Sequence, residues 1–187
     1  LYTSIWESLR YSVFQVASII STTGFATADF VLWPHFSQTI LVLLMFCGAC
    51  AGSTGGGIKC SRVLILLRSI RREIHRVIHP RSVEVVKLDG KVVEEDTLRS
   101  ISVFVGSYLF IILAATLIIS LDDFPFSVSF SSALTCISNV GPGLELVGPT
   151  GNFSAFSHLS KIVMSLCMII GRLEIFPILV LFSRQAW

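Results

Sequence analysis

Two short strings in this chain carry backbone chemistry: Thr22-Thr23-Gly24-Phe25 and Asn139-Val140-Gly141-Pro142-Gly143. Glycine tolerates the backbone angles that turn successive carbonyl oxygens to one side. A row of such carbonyls can replace the water shell of a small cation in a narrow pore. Thr22, Thr23 and Gly24 would supply one set, with threonine hydroxyls at the inner mouth, and Asn139, Val140 and Gly141 the other. Either string alone also reads as an ordinary turn. Their placement along the chain decides between the two readings.

Three further groups have chemistry to offer. Ala51-Gly52-Ser53-Thr54-Gly55-Gly56-Gly57-Ile58-Lys59 has the glycine spacing of a phosphate loop. Ile58 stands where that motif needs Lys, and an apolar helix precedes it in place of a soluble strand, so phosphate binding is rejected. Each glycine costs a helix about 1 kcal/mol relative to Ala. The helix from Phe36 is therefore expected to break here, making Gly52, Ser53, Thr54, Gly55, Gly56 and Gly57 a gate or a simple hinge. Arg172 and Glu174 interrupt an otherwise apolar run, where a charge costs at least about 2.5 kcal/mol and faces a cavity or a partner. Arg172 is expected to face the glycine cluster, and a structural role against a neighbouring helix is the alternative. Cys47 and Cys50 spell C-x-x-C, but within an apolar helix they read as small packing residues. His75 and His79 have metal-ligand spacing without the Glu of a zinc protease, and they lie among arginines.

The elements that must position these residues belong in a membrane. Hydrophobic residues make up 53% of the 187 and charged residues 14%, below the quarter usual for soluble domains. Mean hydropathy is +0.79. No Asp, Glu, Lys or Arg lies between Asp29 and Lys59, none falls in 100–121, and 162–182 holds only Arg172 and Glu174. About 20 apolar residues cross a hydrocarbon core, so three crossings are expected. Lys59, Arg62, Arg68, Arg71, Arg72, Arg76, Arg81 and Lys87 cluster after the second Gly-rich stretch, which places 60–97 in the cytoplasm. That basic segment could meet anionic lipid or a docking partner. Nothing in the composition calls for a nucleic-acid partner, and five cysteines set mainly in apolar runs do not make a secreted disulfide framework.

One pattern then appears in one and a half copies. The first runs from a short helix (5–21) through Thr22-Thr23-Gly24 and a polar stretch (29–35) to a membrane helix from Phe36. The second has its own leading helix (98–121), a short helix (128–138), the Asn139-Val140-Gly141 turn, a polar stretch to His158 and a helix from Lys161. The first copy lacks a leading helix, so the chain reads as part of a longer polypeptide. The short helices cannot span, and irregular backbone at membrane depth is tolerated only against protein or a water-filled cavity. The expected fold is therefore all-α, built of membrane helix–pore loop–membrane helix repeats like those of potassium channels. Residues 1–59 form a pore helix, loop, second membrane helix and Gly-rich loop. Residues 60–97 form a basic helix and linker, and 98–187 a complete repeat.

Thr22-Thr23-Gly24-Phe25, the 51–59 cluster, Asn139-Val140-Gly141-Pro142-Gly143 and Gly171-Arg172-Leu173-Glu174-Ile175-Phe176 together resemble the membrane subunit of bacterial Trk-type potassium uptake systems, in the Trk/Ktr/HKT superfamily. The resemblance covers essentially the whole chain, with the motifs in order. It implies four repeats around one pore, of which this chain holds the third from its pore helix onward and the complete fourth. It further implies potassium at a filter of Thr22, Thr23, Gly24, Asn139, Val140 and Gly141, and a gating loop at 52–57 faced by Arg172. The bacterial cytoplasmic membrane, a homodimer and a cytosolic nucleotide-binding regulatory subunit follow from the same likeness. No bound cofactor is expected, potassium being the cargo, and no enzyme activity. A sodium or mixed-cation transporter of the same superfamily is the nearest alternative. A membrane-embedded enzyme using Cys47/Cys50 or His75/His79, or a structural anchor, stands further off.

Overall fold

The structure is a computed structural model that describes residues 4–48, 50, 52, 53, 55–79 and 85–173. Six helices carry it: α1 (Ile5–Ile20), α2 (His35–Phe46), α3 (Cys60–Ile78), α4 (Glu95–Ile119), α5 (Phe126–Ser138) and α6 (His158–Arg172).

Helix α4 shows how an apolar sequence chooses its faces. Leu98, Ile101, Phe104, Tyr108, Ile112, Ala115 and Ile119 recur every three or four residues and are buried, the spacing of one helix face. Phe110, Leu113 and Leu117 point the other way and stay exposed. Among the described residues, Glu95–Asp122 is the one helix long and apolar enough to cross a membrane, at 28 residues. Of the three expected crossings, the run 100–121 lies within that helix, α2 runs for only 12 residues and falls short of such a length, and the third run extends past 173, outside the described residues.

Helix α5 fits between α4 and α6. Pro125 precedes it, and the Ser129 amide donates to the Pro125 carbonyl at 3.1 Å. From Val128 to Ser138 every residue but Phe130 is buried. Leu134 and Ile137 of α5, Tyr108 and Ile112 of α4, Met164 and Cys167 of α6, and Leu41 and Met45 of α2 share one core. Between helices in lipid the hydrophobic drive is weak, so close packing and buried hydrogen bonds hold them together. One such bond joins Tyr108 Oη and Ser138 Oγ at 2.8 Å.

The break after α2 comes earlier than the 51–57 cluster. The helix ends at Phe46, and Cys47–Gly48 (β1) pairs in parallel with Ile58–Lys59 (β2). A Cβ on Gly48 would sit 2.1 Å from the Gly56 carbonyl oxygen, so the two stretches approach this closely only because residue 48 has no side chain. Cys60 Sγ donates to the Gly48 carbonyl at 3.1 Å. Cys50 is exposed, not buried as a packing residue.

Beyond α3, Lys87–Leu88 (β3) and Lys91–Val92 (β4) form an antiparallel hairpin. Asp89 and Gly90 turn it with φ of 50° and 79°, the left-handed pair favoured in two-residue hairpins. The Asp-Gly signal was open to sequence reading, which gave this stretch only as linker. Val86, Leu98, Ile101 and Ile65 make a small second core under the hairpin. Arg72 joins α3 to the start of α4 through Glu95 at 2.5 Å. That hydrogen bond is the main reason its guanidinium pKa lies above the ordinary arginine value. Arg62 sits 4.2 Å over the Phe104 ring, a cation–π contact.

Candidate functional site

The two glycine loops leave their helices in the same way. After α1, the Thr22 amide donates to the Ile19 carbonyl at 3.0 Å and Thr23 to Ser18 at 2.9 Å. After α5, the Asn139 amide donates to Cys136 at 3.2 Å and Val140 to Thr135 at 3.1 Å. Thr22 and Asn139 both take left-handed backbone, φ 53° and 55°, and so do Gly24 and Gly141, φ 77° and 105°. These donors, acceptors and left-handed residues match at a constant offset along the chain, and the first loop adds a longer bond from the Gly24 amide to the Ser18 carbonyl at 3.5 Å. Asparagine adopts this conformation readily at a helix C-terminus. A β-branched threonine does not, so Thr22 is held there by its surroundings, a form of strain that concentrates at functional sites.

The loops also meet. A Cβ on Gly24 would lie 2.1 Å from the Val140 carbonyl oxygen and 3.1 Å from Pro142 Cδ. Gly141 has open space where its side chain would be. Above them lies an open cleft of about 590 Å³ whose walls include Gly24, Phe25, Asp29, Gly141, Pro142 and Thr150. Asp29 is tied down there: it accepts from the Val31 amide at 3.0 Å and from Thr150 Oγ1 at 3.3 Å. Val140 is buried, whereas the Thr23 hydroxyl pairs with Ser21 Oγ at 2.8 Å on an exposed edge.

The lower end of α5 is where the other candidate residues gather. A Cβ on Gly56 would lie 2.3 Å from the Ser138 carbonyl oxygen, and one on Gly171 would lie 1.8 Å from that of Ile137. Both glycines therefore press backbone against the last turn of α5. Asn139 Nδ2 donates across to the Met168 carbonyl of α6 at 3.3 Å, so its side chain fastens the loop to α6. Gly57 (φ 77°) packs near the Met45 carbonyl and Gly48, while Gly52 (φ 86°) faces open space. Ser53 Oγ accepts from the Gly55 amide at 3.3 Å. Arg172 closes α6 immediately after Gly171, exposed. Thr54 and Glu174 lie outside the described residues. His75 and His79 place their rings 4.8 Å apart, and among the described residues no three His, Cys, Asp or Glu side chains gather as a metal site.

Sequence reading missed Ser18 and Thr135. Ser18 Oγ donates to the Phe25 carbonyl at 2.6 Å, and Thr135 Oγ1 to the Pro142 carbonyl at 3.1 Å. Laying the two copies over one another would have found them, since each is a hydroxyl residue four places before the first left-handed residue.

A buried helix end, two facing glycine loops and a long apolar helix beside them define a helical fold of the kind found among cation transport proteins. The family described as TrkH, cation transport protein, matches residues 4–186, and the chain belongs to it. The Trk system potassium uptake protein TrkH of Salmonella typhimurium is 36% identical over 190 residues, covering 100% of this chain and 38% of the relative. TrkG of Escherichia coli K12 is 36% identical over 180 residues, covering 96% and 37%. The crystal structure of the potassium transporter TrkH from Vibrio parahaemolyticus matches with a TM-score of 0.88 at 34% identity, covering 100% of this chain and 39% of that one. The chain thus spans about 38% of the length of the curated relatives it matches.

Proposed function

We propose that this chain forms part of the pore of a potassium uptake transporter in the bacterial cytoplasmic membrane. The observation that carries the reading is the pairing of two loops with the same left-handed pattern, meeting at Gly24 and Val140. Carbonyls of Thr22, Thr23, Gly24, Asn139, Val140 and Gly141 line the ion path and replace water around potassium. The C-terminal ends of α1 and α5 point there, and their partial negative charge favours a cation. The relatives' names as potassium uptake proteins support the choice of ion.

Beneath the filter, the 52–57 stretch acts as the gate. Gly56 rests on Ser138, at the base of the second loop, so a shift of this stretch reaches the filter through one backbone contact. Arg172 adds a positive barrier on the cytoplasmic side. The segment 60–97 is cytoplasmic and offers basic side chains to anionic lipid and to a nucleotide-binding regulatory subunit, and the parent polypeptide pairs as a homodimer. The filter closes only with the repeats supplied by that longer polypeptide, so transport belongs to it as a whole.

The test is potassium against sodium influx in liposomes holding the full-length polypeptide, with and without Gly141→Asp. Potassium-selective influx that the substitution abolishes supports the reading. Equal sodium influx keeps the pore and replaces the ion by a mixed monovalent cation. Folded protein with its cytosolic partner and no cation flux ends the transport reading.

A further inference from the structure

We propose that Ser18 and Thr135 are positioning residues that fix the outer limit of the filter from behind and thereby set its discrimination between cations. The inference rests on the filter assignment above. Both residues lie in the last turns of their helices, Ser18 in α1 and Thr135 in α5, and both are buried, at 6% and 0% exposure.

Each grips its loop at two points. The carbonyl of Ser18 takes the Thr23 amide, and its hydroxyl donates to the Phe25 carbonyl; Thr135 takes the Val140 amide and donates to the Pro142 carbonyl. The side chains differ, serine in one copy and threonine in the other, but the bond is the same, reaching seven residues forward each time. Two different residue types making one bond at matching places points to the hydroxyl as the common requirement.

The result is a loop pinned at both ends, with the carbonyls of 22–24 and 139–141 between the two grips. The first carbonyl beyond each glycine is engaged by its own helix. That engagement draws the Phe25 and Pro142 carbonyls toward the helices, so that under the filter assignment they mark the outer end of the row of carbonyls offered to the ion. It also holds the loop's curvature, which matters because a cation is distinguished by how well fixed dipoles replace its water. Without the hydroxyl, the outer carbonyl is released and the loop can contract around a smaller ion.

The experiment uses the full-length polypeptide in liposomes and reads the ratio of potassium to sodium influx. Ser18→Ala and Thr135→Val remove the hydroxyls with little change in volume, and Ser18→Thr and Thr135→Ser keep them. We expect the ratio to fall about three- to ten-fold in each hydroxyl-free variant, the range set by the net worth of one hydrogen bond, and further in the double variant. The hydroxyl-retaining variants should stay within about two-fold of the parent, less than one such bond. Thermal unfolding establishes that each variant is folded. Should Thr135→Val not fold, Ser18→Ala decides, since it removes a single oxygen. Folded hydroxyl-free variants with an unchanged ratio overturn the proposal, and so does an equal fall in variants that keep the hydroxyl. A parent polypeptide without cation flux contradicts the filter itself, an outcome separate from either.

Discussion

At Gly24 two demands coincide, a left-handed backbone and the carbonyl of Val140 lying where a side chain would begin. Gly141 faces only the first, with open space beside it. Alanine should therefore act differently at the two places. Gly141→Ala is strained by at least about 1–2 kcal/mol yet has room, so it should fold with a modestly lower melting temperature. Gly24→Ala must push the loops apart at a 2.1 Å approach to backbone and should lower the melting temperature clearly more. Equal shifts in thermal unfolding would mean that the loops do not meet as described. The glycines themselves were legible from sequence. The difference between them was not, because it depends on what lies across the gap, and Val140 is far from Gly24 along the chain.

Among the elements, α5 depends most on its neighbours. It is rich in serine, and Ser129, Ser131, Ser132 and Ser138 are all buried, an unlikely core by composition alone. The α4–α5 contact includes a buried side-chain hydrogen bond between Tyr108 and Ser138. Tyr108→Phe removes that bond and leaves the Ser138 hydroxyl without this partner. The expected loss is about 1 kcal/mol, the net value of a buried hydrogen bond, seen as a drop in melting temperature in detergent. Since Ser138 also carries the Gly56 contact, the same variant is expected to change potassium influx more than its stability loss would suggest. An unaltered melting point would indicate that the pair is made equally well by solvent. The 35–46 helix illustrates the limit of reading by hydropathy: the apolar run continued to Ala51, but the parallel pairing of 47–48 with 58–59 ended the helix at Phe46. That pairing joins residues eleven apart across the Gly-rich stretch, and local hydrophobicity carries no trace of it.

At the scale of the whole molecule, the outward face of α4 is as apolar as its inward one. Phe110, Leu113 and Leu117 of α4 are exposed at 72%, 62% and 72%, a stripe that water would not accept and lipid would. Leu113→Lys should therefore impair insertion, at about 2.5–3.5 kcal/mol for a lysine at a helix centre. Fractionation of cells making the full-length polypeptide would show it as reduced membrane recovery. Undiminished recovery would mean that Leu113 meets protein, and so that this face of α4 is covered by another part of the polypeptide or by a second copy.

The sequence by itself determined the class of the protein and the places of its two glycine loops, because hydropathy and glycine act locally: they limit what a segment can do wherever it lies. It also located the basic stretch and the six helices, with ends that differ by a few residues. Tertiary structure alone decided that Gly24 lies against Val140, that Gly56 and Gly171 press on the end of α5, and that Asn139 reaches α6. It likewise revealed that Ser18 and Thr135 make matching bonds, to the Phe25 and Pro142 carbonyls. The first three depend on distances between segments remote in sequence, and close backbone approach is settled only once the helices have packed; the Ser18 and Thr135 bonds are local but need the loop geometry to be seen.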